Sequence, residues 1–377
     1  MSADRDVPFP YMRWAKRHLT GFTPSNLGMS GIAGLTPSDV VPAGPTPYWM
    51  PEGEFGDPDL RALLAAREGV PTDHVFVSAG ASLANFLVVL TETRGTRGTR
   101  GTRGAHIAVE TPAYEALLRL PDAVGASLTA FRRDPARGWR LDPGSVRAAV
   151  RPNTRLIVVT DLHNPTGVRL HADDLALLLA EAERVDAAVV VDEVYREMDL
   201  TVRPTAARGH PRVIVTNSLT KAHGLGGLRI GWILAAPDRI ARIAAWNDLV
   251  CPAHPVPSIA VAKAYLAQAD ARIAATRATI ADRLERADAW VRGRPGVSWT
   301  RPDGGITGFL RLPAGTDGEA FAAFAFERHG VRVVPGAFFQ APDHVRLSFG
   351  LIPVNLDNAL RALGTALDAW AARGPAA

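Results

Sequence analysis

Six short apolar runs limit most strongly what this chain can fold into: "HVFVSAG" (74–80), "HIAVETP" (106–112), "TRLIVVT" (154–160), "AAVVVDE" (187–193), "RVIVTNS" (212–218) and "GWILAA" (231–236). Most are β-branched and continuous rather than alternating, the pattern of strands buried on both faces of a parallel sheet. Between them lie helix-like segments such as "SLANFLVVLTETR" (82–94) and "ADDLALLLAEAERV" (172–185). Strand and helix in alternation spell an α/β domain with a mostly parallel sheet sandwiched by helices. At 47% hydrophobic over 377 residues the chain can bury a large core, and it is long enough for roughly two or three domains. Residues 258–291 then run helical without a Pro or Gly break. At ~1.5 Å per residue that is a spine of ~50 Å, too long to cap one sheet. Beyond it "GVSWTRPDGGITGFLRLP", "GVRVVPGAFF" and "HVRLSFG" read as strands of a smaller α+β domain, closed by the amphipathic "LDNALRALGTALDAWAARG". The expected division is an N-terminal arm with part of the small domain (1–45), a large domain (46–250), and the linking helix with the small domain (251–377).

Several function classes drop out. The first thirty residues hold no apolar signal-like core, and no run approaches the ~18 uninterrupted apolar residues of a membrane span. The single cysteine, Cys251, excludes an internal disulfide and a cysteine metal cluster. A soluble cytoplasmic protein without a metal site is expected. The net charge is +4, but its 42 basic residues are spread among 38 acidic ones, so no nucleic-acid partner is expected. The one compact basic stretch, "TRGTRGTRGTRG" (93–104), has no interleaved aromatic for base stacking and reads as an expanded surface loop.

In a sheet of this kind ligands sit at the carboxyl ends of strands, so the residues after each apolar run carry the interest. Ser78-Ala79-Gly80-Ala81-Ser82 opens a helix whose N–H groups could hold a phosphate. Tyr114 follows the second run, and the turn "NPTG", headed by Asn164, follows the third. Asp192 and Tyr195 follow "AAVVV", where a carboxylate needs a cation or a strong donor, or else caps a helix. Ser218, Lys221 and Arg229 follow the fifth run. The chain has only three lysines, Lys16, Lys221 and Lys263. Everywhere else it uses Arg for positive charge, so a lysine here points to chemistry a guanidinium cannot do, namely attack on a carbonyl as a free amine. These are the parts that hold pyridoxal phosphate: an amine for its aldehyde, a carboxylate for its ring nitrogen, donors for its ring oxygen, an aromatic face, and hydroxyls, N–H groups and Arg for its phosphate.

Taken in order, "SAGAS", "ETPAY", "NPTG", "DEVY", "SLTKAHGLGGLRIGW" and the distant "GVRVVPGAFF…HVRLSFG" resemble the class I/II aminotransferases, within the fold type I pyridoxal-phosphate enzymes, from about residue 55 to the C-terminus. The resemblance implies that Lys221 forms the Schiff base and shuttles the substrate proton. It implies that Asp192 pairs with the ring nitrogen, Asn164 and Tyr195 with the ring oxygen, and that Tyr114 stacks on the ring. Ala81, Ser82, Ser218 and Arg229 would hold the phosphate. Arg346 would take the substrate α-carboxylate, with Asn164 and Ser30 also on the substrate side. The partners implied are an amino acid and a 2-oxo acid, and the working unit implied is a homodimer with shared active sites, over which an arm carrying Phe9, Tyr11, Met12 and Trp14 would close.

The chain departs from the family pattern on the substrate side. "GDPDLR" (56–61) lacks the family's preceding Tyr, with Pro51 in its place and Tyr48 and Trp49 nearby. The family's "LG-x-G" becomes "NLGMSG" (26–31), with Ser30 for the second Gly. The same cofactor set also serves lyases, cyclases and oxidases, so amino transfer is the first reading and these are the alternative. His163 and His223 beside the motifs are read as packing residues.

Overall fold

The computed structural model describes residues 10–19, 25–32, 57–94 and 104–373. Its frame is an eight-stranded sheet in the order β1-β8-β7-β6-β5-β2-β3-β4. The strands are β1 (Val75–Ser78), β2 (His106–Thr111), β3 (Ser127–Asp134), β4 (Arg140–Leu141), β5 (Thr154–Thr160), β6 (Ala188–Asp192), β7 (Val213–Ser218) and β8 (Gly231–Leu234). The pairs β3–β2, β2–β5, β5–β6 and β6–β7 are parallel, whereas β8 runs antiparallel to both β7 and β1. The apolar runs are continuous because both faces are covered. Val189, Val191 and Val215 enter one core, while Val190, Ile214 and Ile233 enter the core on the opposite face. Strands β3 and β4 escape the apolar-run reading. β3 lies near the sheet edge with six of its eight residues exposed or half-buried, so "SLTAFRRD" needs no apolar run.

A second sheet, β10 (Val334–Pro335), β11 (His344–Ser348) and β9 (Thr307–Arg311), is antiparallel throughout, with β11 in the middle. The segment before β9 contributes only the bridge Ser298–Arg311, not the full strand expected from "GVSW". The expected single spine is two helices, Val256–Leu266 and Ala269–Arg292, broken at Ala267–Gln268. The break falls where the chain changes cores. Ala262, Tyr265, Leu266 and Ala269 pack on the large sheet, and Ile273, Ile280, Leu284 and Val291 pack with the small sheet and the final helix, Pro353–Ala371. No sharp kink residue is needed when two separate apolar stripes pull on one helical sequence. The loop 95–103, Phe9, and Tyr48, Trp49, Pro51 and Gly56 lie outside the described residues.

Candidate active site

Strand β6 ends on Asp192 and β7 on Ser218, and the parallel register sets Asp192 beside Thr216. That register builds a chain of bonds beneath the site. Thr216 Oγ1 donates to Asn85 Oδ1 at 2.7 Å, and Asn85 Nδ2 donates to Asp192 Oδ2 at 2.8 Å. The backbone N–H of Val194 donates to the other carboxylate oxygen at 3.2 Å. Asp192 is buried, and burial raises its pKa, opposed by the Asn85 bond, the Val194 bond and the Lys221 charge. A carboxylate aimed out of such a frame is completed by a cationic N–H, as a protonated ring nitrogen supplies.

Lys221 stands on the loop after β7. Leu219 anchors that loop, its N–H donating to Ile230 O and its C=O accepting from Leu225 N–H at 3.0 and 2.8 Å. The Lys221 Nζ donates to Ser30 Oγ at 3.0 Å and lies 5.8 Å from the centre of the Tyr195 ring. Removal from water lowers its pKa, the direction that frees an amine for attack on a carbonyl, with Arg346 and Arg229 adding to the shift against Tyr11 and Asp192. Tyr195, on the turn after β6, donates its hydroxyl to Ser30 O at 2.9 Å. Behind these two loops His223 Nε2 meets Glu197 Oε2 at 2.5 Å and His223 Nδ1 meets Tyr265 Oη at 3.0 Å, while Arg67 also pairs with Glu197. The buried pair ties the Lys221 loop to the Tyr195 turn.

At the end of β1 the chain turns through Gly80, at φ +83°, into the helix Ala81–Arg94. A Cβ at Gly80 would strike the Arg229 guanidinium, so only glycine lets Arg229 lie across the helix start. There Arg229 Nη2 donates to Ala79 O at 3.2 Å. Ser82 is exposed and Ala81 half-buried at the same helix start, and Ser218 is buried at the end of β7. N–H groups, hydroxyls and one cation therefore gather where an anion is favoured.

Arg346 comes from the middle strand of the small sheet, opposite Phe309. It is almost wholly buried, and no carboxylate among the described residues pairs with it. Nη1 donates to Asn164 Oδ1 at 3.1 Å, and Nη2 donates to the Tyr11 hydroxyl and to Gly28 O, both at 3.1 Å. Its Nε is buried with no hydrogen-bond partner among the described residues. A buried guanidinium held only by neutral acceptors is a site for an anion. Tyr114 meets the Tyr11 ring edge-on at 5.8 Å between centres. His163, which burial keeps neutral, spans Thr166 Oγ1 and Pro112 O at 2.7 Å each.

Lys221, Ser30 and Tyr195 are thus joined directly, as are Arg346 and Asn164. Two participants were not legible beforehand as site residues, Asn85 and the hydroxyl of Tyr11. Asn85 carried a faint signal, the one polar side chain within the apolar stretch 83–90 of its helix. The pieces fit pyridoxal phosphate: a buried carboxylate backed by an amide, an amine with a lowered pKa, and a glycine-made cradle under Arg229.

Aminotransferase class I and II matches residues 55–363. Capreomycidine synthase of Streptomyces vinaceus is 30% identical over 83% of this chain and 79% of that protein. A pyridoxal-phosphate-dependent aminotransferase of Streptococcus suis superposes with a TM-score of 0.86 at 25% identity, over 98% of this chain and 99% of that one. The pyridoxal-phosphate-dependent cyclase OrfR follows at 0.84 and 25%, over 97% and 98%. The chain belongs to the class I and II aminotransferases, enzymes of fold type I that use pyridoxal phosphate to move an amino group from an amino acid to a 2-oxo acid.

Proposed function

We propose that the substrate is an L-amino acid held by its α-carboxylate on Arg346, and that Lys221 both carries the cofactor and moves the α-proton. Bound pyridoxal phosphate supplies an electron sink for charge developing on the α-carbon. Asp192 serves its ring nitrogen, Tyr195 and Asn164 its ring oxygen, Tyr114 its ring face, and Ala81, Ser82, Ser218 and Arg229 its phosphate. The observation that carries this reading is the pairing of a pKa-lowered amine at Lys221 with a buried, anion-seeking guanidinium at Arg346. Between them runs the segment 26–31, which bonds both through Ser30 and Gly28.

The same reading places the enzyme in the cytoplasm as a homodimer with shared sites. Among the described residues no helix is long and apolar enough to cross a membrane. Leu249 and Val250, exposed at 76% and 53% after the helix Pro237–Asn247, support an apolar contact for a second copy. The division into an arm, a large domain to residue 250 and a small domain from residue 251 goes with it.

The test is to mix the holoenzyme with single amino acids and one 2-oxo acid and to identify products by mass. A keto acid formed together with a newly aminated acid is the expected result. A second reading, cyclisation or elimination, is supported by Ser30, whose hydroxyl reaches the Lys221 amine, and by the likeness to a synthase and a cyclase. It predicts consumption of the amino acid with no amino acceptor required.

A further inference from the structure

Three of the five Arg346 donors are already bonded before a carboxylate arrives. Two of its Nη hydrogens go to Gly28 O and to the Tyr11 hydroxyl, and a third to Asn164 Oδ1. A carbonyl oxygen can only accept, so Gly28 O offers nothing to an incoming anion, and neither does the Asn164 oxygen. A phenol can do both. It accepts from Arg346 in the structure, and by turning its hydrogen it can donate to an oxygen placed against the same guanidinium.

The position of Tyr11 is built rather than incidental. The helix Pro10–His18 buries only Tyr11. Its backbone N–H donates to the buried Glu115 carboxylate at 2.7 Å. Its ring packs edge-on against Tyr114 and Phe338, at 5.8 and 5.6 Å between centres, and the Arg346 guanidinium lies 5.7 Å from its centre. Those contacts fix where the hydroxyl points, against the Arg346 guanidinium.

We propose that Tyr11 is a substrate-binding residue whose hydroxyl joins Arg346 as a second donor to the substrate α-carboxylate. The inference rests on the reading of Arg346 as the carboxylate site. It also gives the N-terminal helix a definite task, since substrate and helix then hold each other through one hydroxyl.

The test compares wild-type holoenzyme with Tyr11→Phe and Arg346→Ala. The probe is 3-phenylpropionate, a carboxylate without an amino group, with its Kd measured by calorimetry. Removing one hydrogen bond to a charged group should weaken the probe about tenfold in Tyr11→Phe. KM for the amino acid found in the product screen should rise by a similar factor, with kcat within about twofold and cofactor affinity unchanged. Wild-type affinity in Tyr11→Phe would overturn the proposal. Tighter binding would also overturn it, because Tyr11 would then be a competitor for Arg346. If Arg346→Ala binds the probe normally, or wild type does not bind it, the carboxylate reading itself fails and this inference with it. A loss in Arg346→Ala beside a normal Tyr11→Phe removes only Tyr11. Arg346→Lys, which keeps the charge but not the fork, serves the same comparison if the alanine variant does not fold.

Discussion

The proposed site has two ends built on different terms. At the cofactor end, Asp192, Thr216 and Ser218 stand on adjacent parallel strands whose register fixes their spacing, and Lys221 follows three residues after Ser218. At the substrate end, Arg346 is bonded to partners 182, 318 and 335 residues away along the chain. Ladder hydrogen bonds and a core on each face hold the first end. The second exists only because the small sheet, the segment 26–31 and the N-terminal helix dock together. Rigidity suits the part that holds one cofactor, whereas assembly from distant pieces suits the part that selects among substrates and is the easier to remodel in sequence.

If the ends differ this way, damage at the cofactor end should stop chemistry outright. Lys221→Ala is expected to lose turnover on the order of 10⁴-fold or more, through loss of both nucleophile and proton carrier. It should still bind cofactor through the cradle at Gly80 and Arg229, visible as a changed absorbance spectrum. Borohydride reduction of wild type followed by peptide mapping should place the label on Lys221, and a label on Lys16 or Lys263 would break the comparison at its strongest point. Asp192→Asn comes next. A neutral amide cannot hold a proton on the ring nitrogen, and turnover should fall by about 10²-fold while KM changes little. Stopped-flow and steady-state rates separate the two, and near-normal kcat would show that ring protonation is not governed from β6.

Ser30 lies between the ends and sharpens the contrast. Its hydroxyl accepts from the Lys221 amine and its carbonyl accepts from Tyr195. Ser30→Ala removes only the first of these, one hydrogen bond's worth, so kcat should fall about three- to tenfold with cofactor affinity unchanged. Because the hydroxyl bonds the amine proposed to move the α-proton, the ratio of keto acid to other products should also shift. Identical rates and products in the variant would place Ser30 outside the chemistry.

The same division explains what the sequence could reveal. Strand ends that carry ligands follow runs of buried β-branched residues, so Asp192, Ser218 and Lys221 are visible as polar residues after apolar runs. Strand β3 is not visible, because a partly wetted strand alternates and carries Arg132 and Arg133. The break at Gln268 is invisible too, because no Pro or Gly makes it; two cores pulling on one helix do. Asn85 and Tyr11 act through side chains that only the tertiary fold brings to Asp192 and Arg346, and no local pattern encodes those meetings.

The smallest effect on turnover is expected behind the cofactor end, where Glu193 supports the frame without facing the site. Its Oε1 accepts from Ala206 N–H at 2.7 Å and its Oε2 lies 2.7 Å from Arg196 Nε, with both side chains nearly or fully removed from water. Burial pushes the carboxyl up to about 7, with Arg196 opposing and Glu68 adding to the rise. An acid whose folded pKa exceeds its unfolded value of 4.5 binds more protons when folded. Its contribution is therefore complete below the unfolded pKa and is lost as pH climbs through the folded one. Wild-type protein should lose stability between pH 5 and pH 8 relative to Glu193→Gln by about 1–3 kcal/mol. Denaturant melts of the two proteins at several pH values read this directly, and parallel curves across that range would mean Glu193 is ionised and fully paired with Arg196 in the fold. Turnover of Glu193→Gln should stay within about twofold of wild type. A large kinetic loss in this variant would erase the distinction, because it would show that the frame behind the cofactor end is tuned to the chemistry and does not merely hold it in place.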